Sequence, residues 1–171
     1  MTKPQPSEYP TFFNGYIQLV PQGNYLQVLN ENSLEIKTFF SSIKKDKHDY
    51  RYQPGKWTIR QILLHMTDTE RVMSYRALTI SRGDVGAVFP SMDENLFADH
   101  ALVSDRTIQN LLEEFFTVRK ASVFLFENMS EQQSLFTGKV MGEKISARAL
   151  AYIIAGHTMH HMNVINDRYL R

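Results

Sequence analysis

The chain contains no cysteine. No disulfide can form, no thiolate can hold a metal, and no cysteine nucleophile is available. It also lacks charge of one sign: 19 Lys and Arg stand against 18 Asp and Glu, for a formal net charge of +1. The short run KKDK, Lys44 to Lys47, is best read as a solvated helix end or loop. Nucleic acid is therefore not an expected partner, because phosphate binding needs clustered Lys and Arg. No apolar run is long enough to span a bilayer, and the start, MTKPQPSEYP, lacks the apolar core of a signal peptide. The expectation is a protein of the cytoplasm that does not engage membranes. With 171 residues, 43% of them apolar, the chain reads as one domain over residues 1–171, large enough to bury a core. Residues 1–22 read as an extended N-terminal segment.

Four stretches have helical periodicity. The first runs from Asn24, a plausible cap, to Ser42. The second opens at PGKWTIRQI, where Thr58 and Gln61 have the spacing of a capping box and Trp57 and Ile62 that of a hydrophobic staple; it continues to about Ser81. The third follows VSDRTI, capped by Ser104 or Asp105, and ends near Met129. The fourth is capped by Ser146 and runs to about Tyr169, after two glycines in TGKVMGEKIS that suggest a tight turn or small hairpin. Four such helices make a bundle the economical fold. The connection from Arg82 to Ser104 is long enough to cross the bundle and leave the second and third helices parallel. A short helix around MDENLFADH would fit within it, and loops of this length are often functional lids.

The C-terminal stretch IIAGHTMHHMNVI holds three of the six histidines. Two metal ligands on one helix must share a face, so His157 could pair with His160 or His161. At about 100° per residue, His161 falls ~40° from His157, among Leu150 and Ile154, while His160 falls ~60° to the other side, at the edge of the apolar stripe. His157 and His161 are thus the inward pair, and His160 a flank residue touching a neighbouring helix or a partner chain. A pair of core histidines bonded to other side chains or carbonyls is one reading. A metal site is the other, since H-x-x-x-H is a zinc-type spacing. Thr158 stands where the zinc proteases carry a general-base Glu. On the second helix, His65 shares its side with Gln61, Asp68, Thr69 and Arg76, a polar stripe that faces either a bundle-core site or water. His48 and His100 lie in polar stretches and receive no role. The FF pairs at Phe39–Phe40 and Phe115–Phe116 are read as core; exposed aromatics would favour a homodimer.

PGKWTIRQILLHMTDTERVMSYRALTISRGD, MDENLFA and IIAGHTMHHMNVI, in that order over roughly residues 50–168, resemble the DinB/YfiT-like superfamily of metal-dependent enzymes. The resemblance implies an all-α four-helix bundle with up-down-down-up topology and a long crossover between helices 2 and 3. It also implies a divalent metal on three histidines, one from the second helix and two from the fourth: His65, His157 and His161. Asp68, Glu70 and Arg71 match its D-x-E-R segment. Asp68 stands where it could accept from the His65 ring, while Glu70 and Arg71 could equally be surface or packing charges.

A three-histidine site leaves a coordination position open, as catalytic sites do and four-ligand structural zinc sites do not. Imidazoles suit zinc and nickel most simply, with iron, cobalt or copper as alternatives. The family implies transfer to or from a low-molecular-weight thiol, or metal-dependent hydrolysis, on a small-molecule substrate. A stress-related metal or ligand binder without catalysis is the remaining expectation.

Overall fold

The computed structural model describes residues 1–84 and 86–171. Four long helices form the frame: α2 (Tyr25–Ser42), α3 (Ile59–Ser81), α5 (Ile108–Glu127) and α7 (Ala147–Arg168). Shorter helices α1 (Asn14–Leu19), α4 (Glu94–His100) and α6 (Glu131–Ser134) accompany them, with strands β1 (Val88–Phe89), β2 (Thr137–Val140) and β3 (Glu143–Ser146). Among the described residues no helix is long and apolar enough to cross a membrane.

The helix starts follow their caps. Asn24 Oδ1 accepts from the Leu26 and Gln27 amides, so α2 begins where the sequence indicates. Thr58 and Gln61 form the reciprocal capping box of α3. Ser146 caps α7 through the Ala149 amide at 3.1 Å. The third long helix departs from expectation. Ser104 and Asp105 sit in a turn closed by Arg106 N–H to the Val103 carbonyl, and Thr107 caps α5 by accepting from Asn110.

Side-chain pairs fix the direction of each helix. Tyr25, at the start of α2, donates to the Ala151 carbonyl early in α7 and packs its ring on Tyr152 and on Phe126, late in α5. So α2 runs with α7 and against α5. Glu70 meets Arg119 and Ser74 meets Ser122, contacts that advance together and make α3 parallel to α5. His65, early in α3, meets His157 and His161, late in α7, so these two are antiparallel. The result is the up-down-down-up bundle.

Residues 82–107 make the crossover between the parallel helices, and they are anchored. β1 pairs parallel with β2 (Val88 with Lys139), and β2 pairs antiparallel with β3 around a two-residue turn. Met141 and Gly142 in that turn have φ of 55° and 81°, the doubly left-handed form that suits a tight hairpin. The helix suggested by MDENLFADH is α4, capped by Asp93.

The core has two apolar clusters. One holds Tyr25, Met73, Ile80 and the early part of α7. The other holds Ile36, Ile59, Ile62, Leu63, Met66, Leu111, Phe115 and Ile165. A polar layer crosses between them. Residues 1–22 differ from the extended segment expected. They form two 3-10 turns and α1, and Tyr9, Phe13, Ile17 and Val20 are buried in the first cluster. Phe13, Ile17 and Val20 are spaced i, i+4, i+7, a short amphipathic helix whose apolar face has α7 to lie on.

Candidate metal centre

His65 lies two turns into α3 and is 7% exposed; His157 lies midway along α7 and is 5% exposed. His161, one turn further along α7, is half-buried. Antiparallel packing of α3 on α7 brings these rings together. His65 Nε2 and His161 Nε2 each stand 3.0 Å from His157 Nε2, and the three ligand atoms lie within 4.8 Å of one another.

Hydrogen bonding cannot account for this convergence. A neutral imidazole nitrogen either donates one proton or accepts on one lone pair. His157 Nε2 can therefore satisfy only one of its two neighbours. A single cation shared by three lone pairs satisfies all three, and nitrogens bound to one ion at 2.0–2.1 Å are separated by about 3 Å. The donor set fits a divalent metal of borderline softness.

The protonation states agree. Burial pushes the His65 imidazolium down to about 4. His157 and His161 are held well below the ordinary histidine value, first by burial and then by the charge of the neighbouring rings. All three are neutral at physiological pH, the form in which imidazole binds metal.

Aromatic groups wall the site. The Trp57 ring packs on His65 with centroids 4.7 Å apart, and Tyr16 of α1 meets both His157 and His160 edge-on, at 5.4 and 5.2 Å. His160 is the flank residue that the helical wheel indicates, and Tyr16 is the neighbour it touches. The Asp68 carboxylate does not take the His65 ring proton. It accepts from Arg71 at 3.0 Å, and His65 Nδ1 is buried without a hydrogen-bond partner among the described residues. Asp68 sits three residues on from His65, far enough round the helix for the exposed Arg71 to claim it. Arg71 also bonds Glu114. Glu70 points the other way and is 1% exposed, paired with buried Arg119.

One side of the triad opens on a cavity of about 420 Å³. Its floor is the polar stripe of α3, His65, Thr69 and Arg76, together with Met73; α1, the segment from Ser91 to Asn95 and the β2–β3 turn close it. Three members of the stripe, His65, Thr69 and Arg76, therefore face this cavity and not bulk water, while Asp68 lies outside its lining. Gln61, on the same face, donates to the Ala98 carbonyl at 3.0 Å and ties α4 to α3.

Sequence patterns did not identify Tyr16, Met92 or Met141 as cavity residues. The i, i+4, i+7 spacing in α1 was a usable signal for Tyr16. The two methionines reach the cavity through tertiary placement of the crossover and the hairpin, which leaves no local pattern.

Comparison with known proteins accords with this geometry. Residues 34–165 match the DinB superfamily, most of the chain, and the protein belongs to that family. The structure is similar to YfiT from Bacillus subtilis, with a TM-score of 0.76 over 96% of this chain and 90% of that one at 18% identity. YfiT is described as a probable metal-dependent hydrolase with an unusual four-helix bundle topology. A DinB-like protein of Bacillus subtilis, YjoA, aligns with a TM-score of 0.59 at 15% identity, covering 85% of this chain and 88% of that one. At these identities the likeness is one of fold. No curated protein is similar enough in sequence to count as a relative.

Proposed function

We propose that this DinB-family protein is a metal-dependent enzyme acting on a small molecule held in the cavity beside His65 and His157. The observation that carries the reading is the convergence of three Nε2 atoms that cannot all be satisfied by hydrogen bonds to one another. His65, His157 and His161 would hold a divalent ion, zinc or nickel by ligand type. Such an ion lowers the pKa of a bound water or thiol and polarises a carbonyl.

The protein's own groups favour transfer to or from a low-molecular-weight thiol. Thr158, in the position of a zinc-protease general base, has its hydroxyl engaged by Asn32 and by the Ala155 carbonyl. Asp93 and Glu94, the acids that line the cavity, are exposed, and Asp93 is committed to capping α4. A thiol that loses its proton on binding metal needs no buried base from the protein. Hydrolysis is the second reading, supported by the description of YfiT.

Metal analysis of tag-free protein tests the foundation. The wild type is expected to carry close to one divalent ion per chain and His157→Ala less than a tenth of that, on the order of the affinity lost with one of three ligands. Wild-type protein that refuses zinc, nickel and cobalt, or a variant that loads equally, overturns the reading. Turnover then separates the two chemistries. Metal-dependent conjugation of glutathione or cysteine to an electrophilic aryl halide supports transfer; metal-dependent cleavage of a nitrophenyl ester without thiol supports hydrolysis.

A further inference from the structure

Arg76 is 4% exposed and has no carboxylate partner among the described residues. This sets it apart. Arg60, Arg106, Arg119 and Arg148, the other arginines that are buried or half-buried, are each paired with an acid: Asp49, Glu114, Glu70 and Glu8. Burying a guanidinium without a counter-charge is costly, and proteins seldom do it without a use.

Its hydrogen bonds do not compensate. Nη2 donates to the Pro90 carbonyl at 2.7 Å, and Nη1 makes only a weak contact with Met73 Sδ at 3.6 Å. A guanidinium has five N–H donors in a fork suited to a planar anion. Anchoring Pro90 uses one of them well. Burial alone pushes the Arg76 pKa down, since no neighbouring acid offsets it.

Position gives the charge a purpose. Arg76 lines the same cavity as His65 and His157. It lies eleven residues after His65, so the two project from α3 within about 20° of each other and about 16 Å apart along the axis. The Arg76 side chain leans back along α3 toward His65, as its contact with Met73 shows, so its charge stands on the order of 10 Å from the imidazoles, the length of a short aliphatic chain. Asp93 and Glu94 lie on the exposed border, so Arg76 is the buried charge that faces the cavity.

We propose that Arg76 is the anchor for a carboxylate or phosphate group on the substrate, whose other end is presented to His65, His157 and His161. The substrate class is a small organic anion with its reacting atom several bonds from its charge. The inference rests on the proposed function only for what happens at the histidine end.

Two measurements test it, one needing no metal. In metal-free wild-type protein, the Nε–Hε resonance of Arg76, assigned by its loss in Arg76→Lys, is followed during titration with hexanoate, hexyl phosphate and hexanol. A saturable shift with at least one anion and none with hexanol is expected, and the tighter anion assigns the class. No shift with either anion, or an equal shift with hexanol, overturns the proposal whatever the metal does.

The second measurement uses cobalt-loaded protein with 6-mercaptohexanoate and 6-mercaptohexanol, read by the cobalt–thiolate absorption band. The carboxylate probe is expected to bind at least about tenfold more tightly, as a charge-assisted bond should give. Arg76→Met should remove that preference while the alcohol's Kd stays within about twofold, since the variant leaves the thiol end untouched. Equal wild-type affinities, or a preference that survives Arg76→Met, also overturn the anchor. Failure to bind cobalt or thiol at all sinks the proposed function instead, and the resonance titration still decides the anchor.

Discussion

Two buried polar clusters cross the middle of this bundle, and they are built on opposite terms. In the first, Glu70 of α3 takes Arg119 Nε on both carboxylate oxygens, at 2.9 and 3.0 Å. Arg119 Nη1 reaches the Leu29 carbonyl, Asn32 Oδ1 and Ser33 Oγ of α2, and Thr158 of α7 donates to the same Asn32 oxygen. Charge is matched within the cluster and all four long helices are joined, although Asn32 Nδ2 and Arg119 Nη2 have no hydrogen-bond partner among the described residues. In the second, His65, His157 and His161 turn three like atoms toward one point, and Arg76 lies along the same cavity without an acid. The first cluster balances its charges within the protein. The second is not matched within the protein: three like ring nitrogens share one point, and the arginine beside them has no acid among the described residues. Burial by itself does not mark a functional site; the second cluster is set apart by like atoms turned to one point and by a buried charge without its opposite.

Breaking the charge-matched cluster should cost the most. Glu70→Ala leaves Arg119 buried and uncompensated, and a loss of about 3–5 kcal/mol is expected from urea unfolding. Replacing both partners, Glu70→Leu with Arg119→Met, should recover most of it, because the penalty belongs to the unpaired charge and not to the missing bond. A single-variant loss below about 1 kcal/mol would mean that the pair is solvated and that the contrast between the clusters is mistaken.

The histidine cluster should instead be sensitive to acid. His65 has its pKa depressed in the folded state, to about 4 from an unfolded value of 6.5. Above pH 6.5 it is neutral in both states and adds no pH dependence. As pH falls below 6.5 the unfolded chain takes up a proton that the folded chain refuses, so stability falls until about pH 4. The metal-free protein should lose roughly 3 kcal/mol on this account across the window. His157 and His161 shift the same way and steepen the fall. Unfolding midpoints at pH 7, 5.5 and 4.5, compared with those of His65→Gln, isolate the effect. Identical slopes would show that His65 is already solvated.

The two clusters were unequally legible in the sequence. The paired histidines of α7 follow from local periodicity, since His157 and His161 lie within one apolar stripe; the capping box at Thr58 sets the phase of α3, hence the face that carries His65, Thr69 and Arg76, while the family resemblance is what singles out His65 on it. The direction of that face was not decided by phase, because a polar stripe on one helix reads the same beside a cavity as beside water. The Glu70–Arg119 pair was illegible for a related reason. Its members lie 49 residues apart, and a buried ion pair leaves no periodic trace on either helix. The crossover was legible in length and in the short helix it holds, but the pairing of β1 with β2 was not: two residues, Val88 and Phe89, are too few to show alternation. The N-terminal segment reads as extended from sequence because Phe13, Ile17 and Val20 span barely two turns, too short a run to establish helical periodicity.

The smallest of these effects tests how that segment is tied to the site. Gly156 immediately precedes His157, and a Cβ built on it would stand 1.9 Å from the Tyr16 carbonyl oxygen and 2.5 Å from its carbon. The backbone of α1 thus rests directly on α7 one residue from a candidate ligand, and the obstruction is main chain, which cannot rotate away. In an unobstructed helix, Gly→Ala stabilises by about 0.5–1 kcal/mol. Here the clash should reverse the sign, for a net loss of about 1–3 kcal/mol, and the structure should yield by lifting α1. Because Tyr16 rides on α1 and packs against His157 and His160, the displacement should also register at the histidines, as altered ring resonances of His157 and His160 in the metal-free variant. His65, walled by Trp57 on the far side, should change least. Gly156→Ala that is as stable as wild type, with its histidine spectrum unmoved, would mean that α1 is not seated on α7 and that the cavity is open where Tyr16 now closes it.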